Sequence, residues 1–290
     1  MPPRSYTLKE IREKGQPPGL KERRNEEHWA GRLYARSLSP FLTWISLRIG
    51  FSPNQLTYLM ILSGIGAGVA FGVGTGLVSA IVGALLVQLY LVLDCTDGEV
   101  ARITGRTSIT GVYLDRLGHY FSEVAVVIGL GFRAEAQFDL PWGQGGWIML
   151  GLAGALGVAL IKAETDNVVV ARAKSGLPAD PPGGDRALRP TSPWLALARQ
   201  AASLLKFHRI IGAVELSLLI LVAAVLDQVL GLPDLPNGLF AEYVEPGPLS
   251  YFGSPVEWTV TRGLLVAVAA VAVLQTVLHF VSIVASRRLK

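Results

Sequence analysis

The sequence predicts an all-α integral membrane protein, and three observations support this fold class. The 290-residue chain is 51% hydrophobic and only 17% charged, which is too apolar for an ordinary soluble domain. Its apolar residues gather in segments of about 20 residues or more, the length that a helix needs to cross a bilayer. Lysines and arginines concentrate at alternate ends of these segments. We therefore expect a bundle of six transmembrane helices preceded by an N-terminal amphipathic interfacial helix.

The first fifty residues predict a cytosolic region in two parts. Residues 1–27 are polar and charged, as is typical of a flexible tail. Residues 26–50 interleave large apolar side chains with arginines, which predicts an amphipathic helix that lies on an anionic leaflet and breaks near Pro40. A solvated basic tail is the alternative interpretation. We expect residues 1–50 to form this tail and interfacial helix, and residues 51–290 to form the transmembrane domain.

Six apolar segments predict the membrane-spanning helices of that domain. Ser52 and Asn54, on either side of Pro53, are typical of a helix start. The six predicted spans cover residues 56–73, 77–103, 108–132, 147–173, 210–230 and 259–285. The second span exceeds the ~20 residues that a bilayer requires, so we expect its end to project into the cytosol.

The connections between these spans are predicted from their glycines and prolines. Tight turns are expected at residues 74–76 and 104–108. The longer connections are predicted at residues 133–146, 177–193 and 231–257, with a short amphipathic helix at residues 193–207.

The distribution of Lys and Arg predicts the orientation in the membrane. The N-terminal region, the turn after the second span and the loop after the fourth span are basic, whereas the opposite side offers only Arg133 and Arg262. The positive-inside rule therefore predicts a protein of the cell membrane in which both termini and the turn after the second span lie on the cytosolic side. The net charge of +4 then needs no nucleic-acid partner, and we expect Trp142, Trp147 and Trp258 at the outer interface.

Carboxylates stand at the cytosolic end of the second span, where charge is energetically costly. Asp94 and Asp97 are three residues apart and share one helix face, and Asp115 and His119 are four residues apart on the next helix. A turn between the two helices would bring the four side chains together. Three carboxylates gather near a bilayer only where a positive partner holds them. Mg²⁺ or Mn²⁺ is the usual partner and indicates a phosphate-bearing substrate.

The spacing of these residues reads D-x2-D-G-x2-A-R-x8-G-x3-D-x3-H. It closely resembles the signature of the CDP-alcohol phosphotransferase family, whose last fixed position is an aspartate. Seven of the eight fixed positions match, namely Asp94, Asp97, Gly98, Ala101, Arg102, Gly111 and Asp115. A match of this length is far more specific than a short motif.

The resemblance implies a membrane transferase. Such an enzyme holds the diphosphate of a CDP-linked donor on two divalent cations, Mg²⁺ or Mn²⁺, and transfers a substituted phosphate group to an alcohol acceptor with release of CMP. Asp94, Asp97 and Asp115 are then expected as metal ligands, with His119 as a further ligand. The resemblance also implies a homodimer.

Small residues in the motif are expected to make room for the nucleotide. The resemblance assigns Gly98, Ala101 and Gly111 to the surface that the nucleotide approaches, with Asp94 beside them. Arg102 is expected to contact a phosphate or an aspartate. The alternative interpretation is that the small residues serve helix packing and that Arg102 is an ordinary positive-inside charge.

His119 is the departure from the family signature. The family's last aspartate is thought to deprotonate the acceptor hydroxyl or to help hold the metal, and a neutral imidazole does both. We therefore expect His119, together with Asp115, to act in catalysis. The loss of one negative charge is expected to weaken Mg²⁺ binding or to favour a softer ion such as Mn²⁺ or Zn²⁺. A catalytically altered protein is the alternative.

The acceptor is predicted from basic residues in the second half of the chain. Residues 170–176 resemble the end of the corresponding span in phosphatidylinositol-phosphate synthase-like members, where basic residues bind the acceptor's phosphate. The residues expected to form this pocket are Arg172, Arg186, Arg189 and Arg209. They favour a polar or phosphorylated polyol, such as inositol phosphate, over a diglyceride.

Other classes of membrane protein also carry intramembrane acids. An ion-coupled transporter needs no nucleotide and leaves Gly98 and Ala101 unexplained. A prenyl-transferring enzyme uses N-D-x2-D or D-D-x2-D motifs, which the glycine and the Ala-Arg pair do not follow. A pseudoenzyme derived from the family remains a further alternative, and His119 is the argument for it.

Overall fold

The described part of the chain is built from helices and turns, without a strand. The computed structural model describes residues 6–17, 29–135, 146–178, 211–230, 259–286 and 289. Within these residues the helices are α1 (Leu8–Gly15), α2 (Arg36–Ile49), α3 (Pro53–Val73), α4 (Leu77–Thr104), α5 (Ile109–Glu135), α6 (Gly146–Lys174), α7 (Ala213–Val229) and α8 (Val260–Ala285). A π-helical turn, Gly31–Ala35, leads into α2. The all-α fold class is therefore confirmed.

Four of the described helices are long and apolar enough to cross a membrane, namely α3, α4, α6 and α8. They coincide with the first, second, fourth and sixth predicted spans. Helices α5 and α7 occupy the positions of the third and fifth predicted spans. By length and composition they fall outside the four candidate spans, so the count of six stays a prediction.

Helix α3 packs against both α4 and α5, and its glycines allow backbones to touch. A Cβ atom added to Gly68 would overlap the backbone carbonyl of Ala125 on α5, and one added to Gly129 would overlap the carbonyl of Gly68. Small residues permit this close approach in membranes, where van der Waals packing drives helix association. The contact fixes α5, and with it the site residues that α5 carries, against α3.

Three buried or half-buried charged side chains secure the end of the bundle that lies away from the motif. Arg133 is buried and donates hydrogen bonds to the carbonyls of residues 74–76, at distances from 2.5 to 3.2 Å. Glu135 accepts hydrogen bonds from the backbone of Trp147 at 2.8 Å, and Asp227 accepts one from Val260 at 2.6 Å. These contacts satisfy helix ends that would otherwise leave polar groups unpaired.

The N-terminal segment differs from the prediction of a flexible tail. Residues 8–15 form α1, which begins with a capping box between Thr7 and Glu10. Ile11 is fully buried, because α1 packs on α2 and α4. The prediction is therefore wrong for residues 6–17, while residues 1–5 and 18–28 lie outside the described residues.

Helix α2 is amphipathic, and its apolar face points outward. Its exposed large apolar side chains are Leu38, Phe41, Ile45 and Ile49. Ser39 and Thr43 are buried on the opposite face. The predicted break at Pro40 is wrong, because α2 continues through this residue. The exposed apolar stripe suits a helix in the membrane interface, and that location stays a prediction.

Several predicted features lie outside the described residues. They are residues 136–145 of the loop at 133–146, the greater part of the loop at 177–193, the short helix at 193–207, the loop at 231–257, and the interfacial residues Trp142 and Trp258.

Candidate active site

The site is built around the turn that joins α4 to α5. Helix α4 ends at Thr104 and is followed by Gly105, whose φ of 66° lies in the left-handed region that glycine favours. Helix α5 begins at Ile109, and the hydroxyl of Ser108 accepts a hydrogen bond from the N–H of Gly111 at 2.9 Å. The predicted turn at residues 104–108 is thus present, and it brings the two halves of the motif to one end of the bundle.

Three motif side chains converge at this end. The potential ligand atoms of Asp94, Asp115 and His119 all lie within 4.8 Å of one another. His119 Nε2 is 3.6 Å from Asp94 Oδ1 and 3.8 Å from Asp115 Oδ1. The three side chains are partly exposed, at 27%, 43% and 35% for Asp94, Asp115 and His119. A ligand can therefore reach them, and two carboxylates with an imidazole are a donor set that fits a divalent cation.

Asp97 lies behind this cluster. Its side chain is buried, and its carboxylate accepts a hydrogen bond from the hydroxyl of Thr57 on α3 at 2.6 Å. Asp97 is not one of the three residues whose ligand atoms meet within 4.8 Å. Of the four side chains expected to gather, three therefore meet directly. The fourth, Asp97, lies behind them and is hydrogen-bonded to Thr57 on α3.

Tyr90 fixes the ring of His119 from the other side. The Tyr90 hydroxyl is hydrogen-bonded to His119 Nδ1, and the two rings meet edge to face with centroids 5.8 Å apart. Tyr90 is buried, so this contact leaves Nε2 as the ring nitrogen that faces the carboxylates. The sequence reasoning missed Tyr90, although it stands four residues before Asp94 and thus on the same face of α4.

The two glycines expected at the nucleotide have polar side chains close to them. A Cβ atom added to Gly98 would lie 3.1 Å from Arg102 Nη1, and one added to Gly111 would lie 3.3 Å from Asn54 Oδ1 on α3. Ala101 is half-buried beside them. Arg102 Nε donates a hydrogen bond to the carbonyl oxygen of Gly15 at 2.7 Å, so Arg102 also contacts α1.

A cavity of about 400 Å³ opens beside the cluster, between α5 and α6. Asp115 and His119 form part of its lining, together with Arg116, Tyr120, Ile161, Lys162, Thr165 and Asp166. The cations in this lining are paired with carboxylates: Arg116 forms an ion pair with Asp166, and Lys162 Nζ lies 3.0 Å from Glu123 Oε1. The Tyr120 hydroxyl donates to Asp166 at 3.1 Å. The cavity thus offers hydroxyl, cationic and anionic groups next to the motif.

Arg172, expected in the acceptor pocket, is fully buried near the end of α6. Its Nε donates a hydrogen bond to the carbonyl of Pro178 at 2.7 Å, and it is not part of the cavity lining. Arg186, Arg189 and Arg209 lie outside the described residues. The cavity's own polar residues Arg116 and Tyr120 were missed by the sequence reasoning, because they fall in the unassigned positions around Asp115.

Comparison with known proteins settles the family. Residues 51–230 match the family model described as CDP-alcohol phosphatidyltransferase. The chain belongs to the CDP-alcohol phosphatidyltransferase family. Its four long apolar helices agree with a family of integral membrane proteins. Members of this family act on CDP-alcohol donors and alcohol acceptors. The match begins at the first spanning helix and includes all the motif residues described above.

A curated relative supports the same family. The chain is 34% identical over 93 residues to the bifunctional IPC transferase and DIPP synthase of Aquifex aeolicus (strain VF5). The match covers 32% of this chain and 21% of the relative. It thus spans about a fifth of the relative's length.

Proposed function

We propose that this protein is a phosphotransferase that moves a substituted phosphate group from a CDP-linked donor to an alcohol acceptor and releases CMP. The donor is CDP-diacylglycerol or a CDP-linked polar alcohol, and the product belongs to phospholipid, polar lipid or polyol phosphate synthesis. The observation that carries the proposal is the meeting of Asp94, Asp115 and His119 beside a polar cavity. The transferase name of the Aquifex relative supports the same class of reaction.

The residues present fit a divalent metal site of the kind that the family uses. We assign Asp94, Asp97 and Asp115 to two cations, Mg²⁺ or Mn²⁺, and His119 Nε2 either to one of these cations or, when it is free of metal, to the proton of the acceptor. The bound cations supply charge neutralisation at the diphosphate and polarisation of its phosphorus–oxygen bonds. The Thr57 hydroxyl orients the Asp97 carboxylate, and Tyr90 orients His119. Such outer contacts normally hold ligands in place.

The nucleotide of the donor is assigned to the surface beside Gly98, Ala101 and Gly111. None of these residues carries a side chain larger than a methyl group, so a ribose or diphosphate could approach the end of α4 and the start of α5 closely. Arg102 lies at the edge of this surface with its Nη1 next to Gly98, where a guanidinium suits a phosphate oxygen. Asp94 borders the same surface.

The acceptor is assigned to the cavity between α5 and α6. His119 lies in both the cluster and the cavity lining, so an acceptor hydroxyl in the cavity would find a proton acceptor in His119, assisted by Asp115. The Lys162 and Arg116 cations and the Asp166 and Tyr120 hydrogen-bonding groups suit a hydroxyl-rich acceptor that carries a phosphate, such as inositol phosphate. Arg186, Arg189 and Arg209 remain our proposal for further acceptor contacts, whereas the buried Arg172 is withdrawn from that set.

The setting of the enzyme completes the proposal. We propose six spanning helices in residues 51–290, an interfacial helix in residues 1–50, and both termini on the cytosolic side of the cell membrane. We also propose a homodimer, which the family resemblance implies. The site then opens to the cytosol, where nucleotide-activated substrates occur.

The test is CMP release by the purified protein in detergent. CDP-diacylglycerol and CDP-linked polar alcohols are supplied with Mg²⁺ or Mn²⁺ and with inositol phosphate, glycerol phosphate, serine or inositol as acceptors. We expect release that depends on metal and acceptor, and that falls at least 100-fold in Asp97→Asn. Glu13→Gln, on the exposed side of α1 and away from the motif, is the control and keeps its activity.

Two other outcomes have distinct meanings. Binding of CDP without turnover of any donor would indicate a catalytically altered member of the family. A protein that neither binds CDP nor releases CMP would contradict the transferase proposal and favour an ion-coupled transporter.

A further inference from the structure

Gln16 connects α1 to two other parts of the protein. Its side-chain amide donates to the carbonyl of Arg36 at 2.6 Å and to Glu99 Oε1 at 2.8 Å. In an uninterrupted helix the N–H of residue 40 would donate to the Arg36 carbonyl, but Pro40 has no N–H. The side-chain amide of Gln16 thus donates to the Arg36 carbonyl, which Pro40 cannot reach with an N–H, and to the Glu99 carboxylate on α4.

Glu99 on α4 accepts the hydrogen bonds that join the N-terminal region to the motif helix. It lies within the motif, two residues after Asp97, and is fully buried. Its carboxylate accepts hydrogen bonds from Ser39 at 2.5 Å and Thr43 at 2.6 Å, in addition to that from Gln16. A buried carboxylate without such donors is strongly unfavourable, so the three contacts hold α1 and α2 against α4.

The same docking holds Arg102. Gly15 sits directly on α4, since a Cβ atom added to it would lie 3.2 Å from Glu99 Cγ and 3.4 Å from Ile103 Cδ1. Its carbonyl accepts the hydrogen bond from Arg102 Nε. This leaves the terminal nitrogens of Arg102 beside Gly98, with Nη1 3.1 Å from the position of an added Cβ.

We propose that residues 6–17 are a working part of the active site, because they position Arg102 for the nucleotide of the donor. Gly15 and Gln16 are then positioning residues. An arginine side chain has many rotamers, and holding its Nε in advance lowers the entropy lost when its terminal nitrogens bind phosphate. The inference rests on the proposed function, since it concerns how the same site binds its donor.

Two full-length variants test the inference. Gln16→Glu keeps the shape of the side chain but replaces its two donated hydrogens with a carboxylate that faces Glu99. Gly15→Val removes no polar group and wedges α1 away from α4. We expect each variant to raise the KM for the CDP-linked donor about tenfold, the effect of one charge-assisted hydrogen bond. The acceptor KM and kcat should change by less than about twofold.

A double-mutant cycle separates positioning from a general loss of structure. Arg102→Ala should raise the donor KM to a similar extent, and Gln16→Glu should add little to it, because the segment acts through Arg102. Glu13→Gln, on the exposed side of α1, is the matched control and should behave as the wild type. If Gly15→Val elutes as aggregate in size-exclusion chromatography, Gln16→Glu alone completes the cycle.

Three results would overturn the inference while the wild type is active. They are an unchanged donor KM in Gln16→Glu, effects of Gln16→Glu and Arg102→Ala that multiply independently, and a lowered donor KM, which would make the segment an obstruction. If the wild type releases no CMP from any donor, the proposed function fails separately. The dissociation constant of CDP with Mg²⁺ then serves as the readout for the same variants.

Discussion

At the residue scale, His119 is held from both sides, and this arrangement predicts the effect of replacing it. Tyr90 binds Nδ1, and the carboxylates of Asp94 and Asp115 face Nε2. If His119 accepts the acceptor's proton, His119→Ala should lower kcat by about 100-fold or more. His119→Asp restores the residue of the family signature and should retain more activity than His119→Ala. Equal CMP release by His119→Ala and the wild type would remove His119 from the mechanism.

Tyr90 should matter through His119. Tyr90→Phe keeps the ring in its buried site and deletes only the hydroxyl that meets Nδ1. Because outer partners of metal ligands typically contribute 10- to 100-fold in affinity, we expect a tenfold or greater rise in the Mn²⁺ concentration needed for half-maximal CMP release. Tyr58→Phe, an exposed tyrosine on α3, is the control. A normal metal requirement in Tyr90→Phe would show that the contact is only structural.

The sequence predicted the positions of the charged and titratable side chains of the site, but not of the hydroxyl groups that support them. Asp94, Asp115 and His119 stand at helical spacings on two consecutive helices, so a single turn sufficed to place them together. Tyr90 and Thr57 were missed for a physical reason. Each supports a motif side chain through one hydroxyl, and Thr57 reaches Asp97 across 40 positions of sequence, a contact that exists only once α3 has packed on α4.

At the element scale, the close contact between α3 and α5 should be sensitive to single methyl groups. Gly68→Ala would drive a Cβ atom into the carbonyl of Ala125, which cannot move without shifting α5. Overpacking of this kind costs about 1–3 kcal/mol, so we expect a lower unfolding temperature in detergent. Gly66→Ala lies on the same helix, but its Cβ would meet only Leu86 at 3.7 Å. An equal loss in both variants would contradict the packing argument.

The bounds of the apolar helices were predictable from sequence, whereas the N-terminal elements were not. The six helices at the predicted spans end within three residues of the expected positions, because hydropathy and the length of a bilayer set both limits. Helix α1 has one buried apolar side chain, Ile11, and therefore lacks a hydropathy signal. Its capping box, Thr7 and Glu10, was the available sign. Helix α2 continues through Pro40, with the carbonyl that Pro40 leaves open bonded to Gln16.

At the scale of the whole molecule, α4 links two chemically different ends. Its 28 residues correspond to about 42 Å of helix, more than the ~30 Å hydrocarbon thickness of a bilayer. The N-terminal end of α4 follows the turn at residues 74–76, whose carbonyls accept hydrogen bonds from Arg133. The C-terminal end carries the motif and leads into the turn that contains Arg106. A donor of nucleotide type is found in the cytosol, so the orientation decides whether the site has access to its substrate.

Single cysteines at the two ends of α4 test this orientation. Gly76→Cys has no neighbouring atom within 4 Å of its Cβ, and Thr107→Cys lies in the exposed turn after α4. In spheroplasts of an expression host, we expect a membrane-impermeant maleimide to label Gly76→Cys at once and Thr107→Cys only after permeabilisation. The wild type is the control, because its one cysteine, Cys95, is buried and should stay unlabelled. The reverse pattern would place the motif outside the cell, away from nucleotide donors, and labelling of both from one side would mean that α4 does not span the membrane.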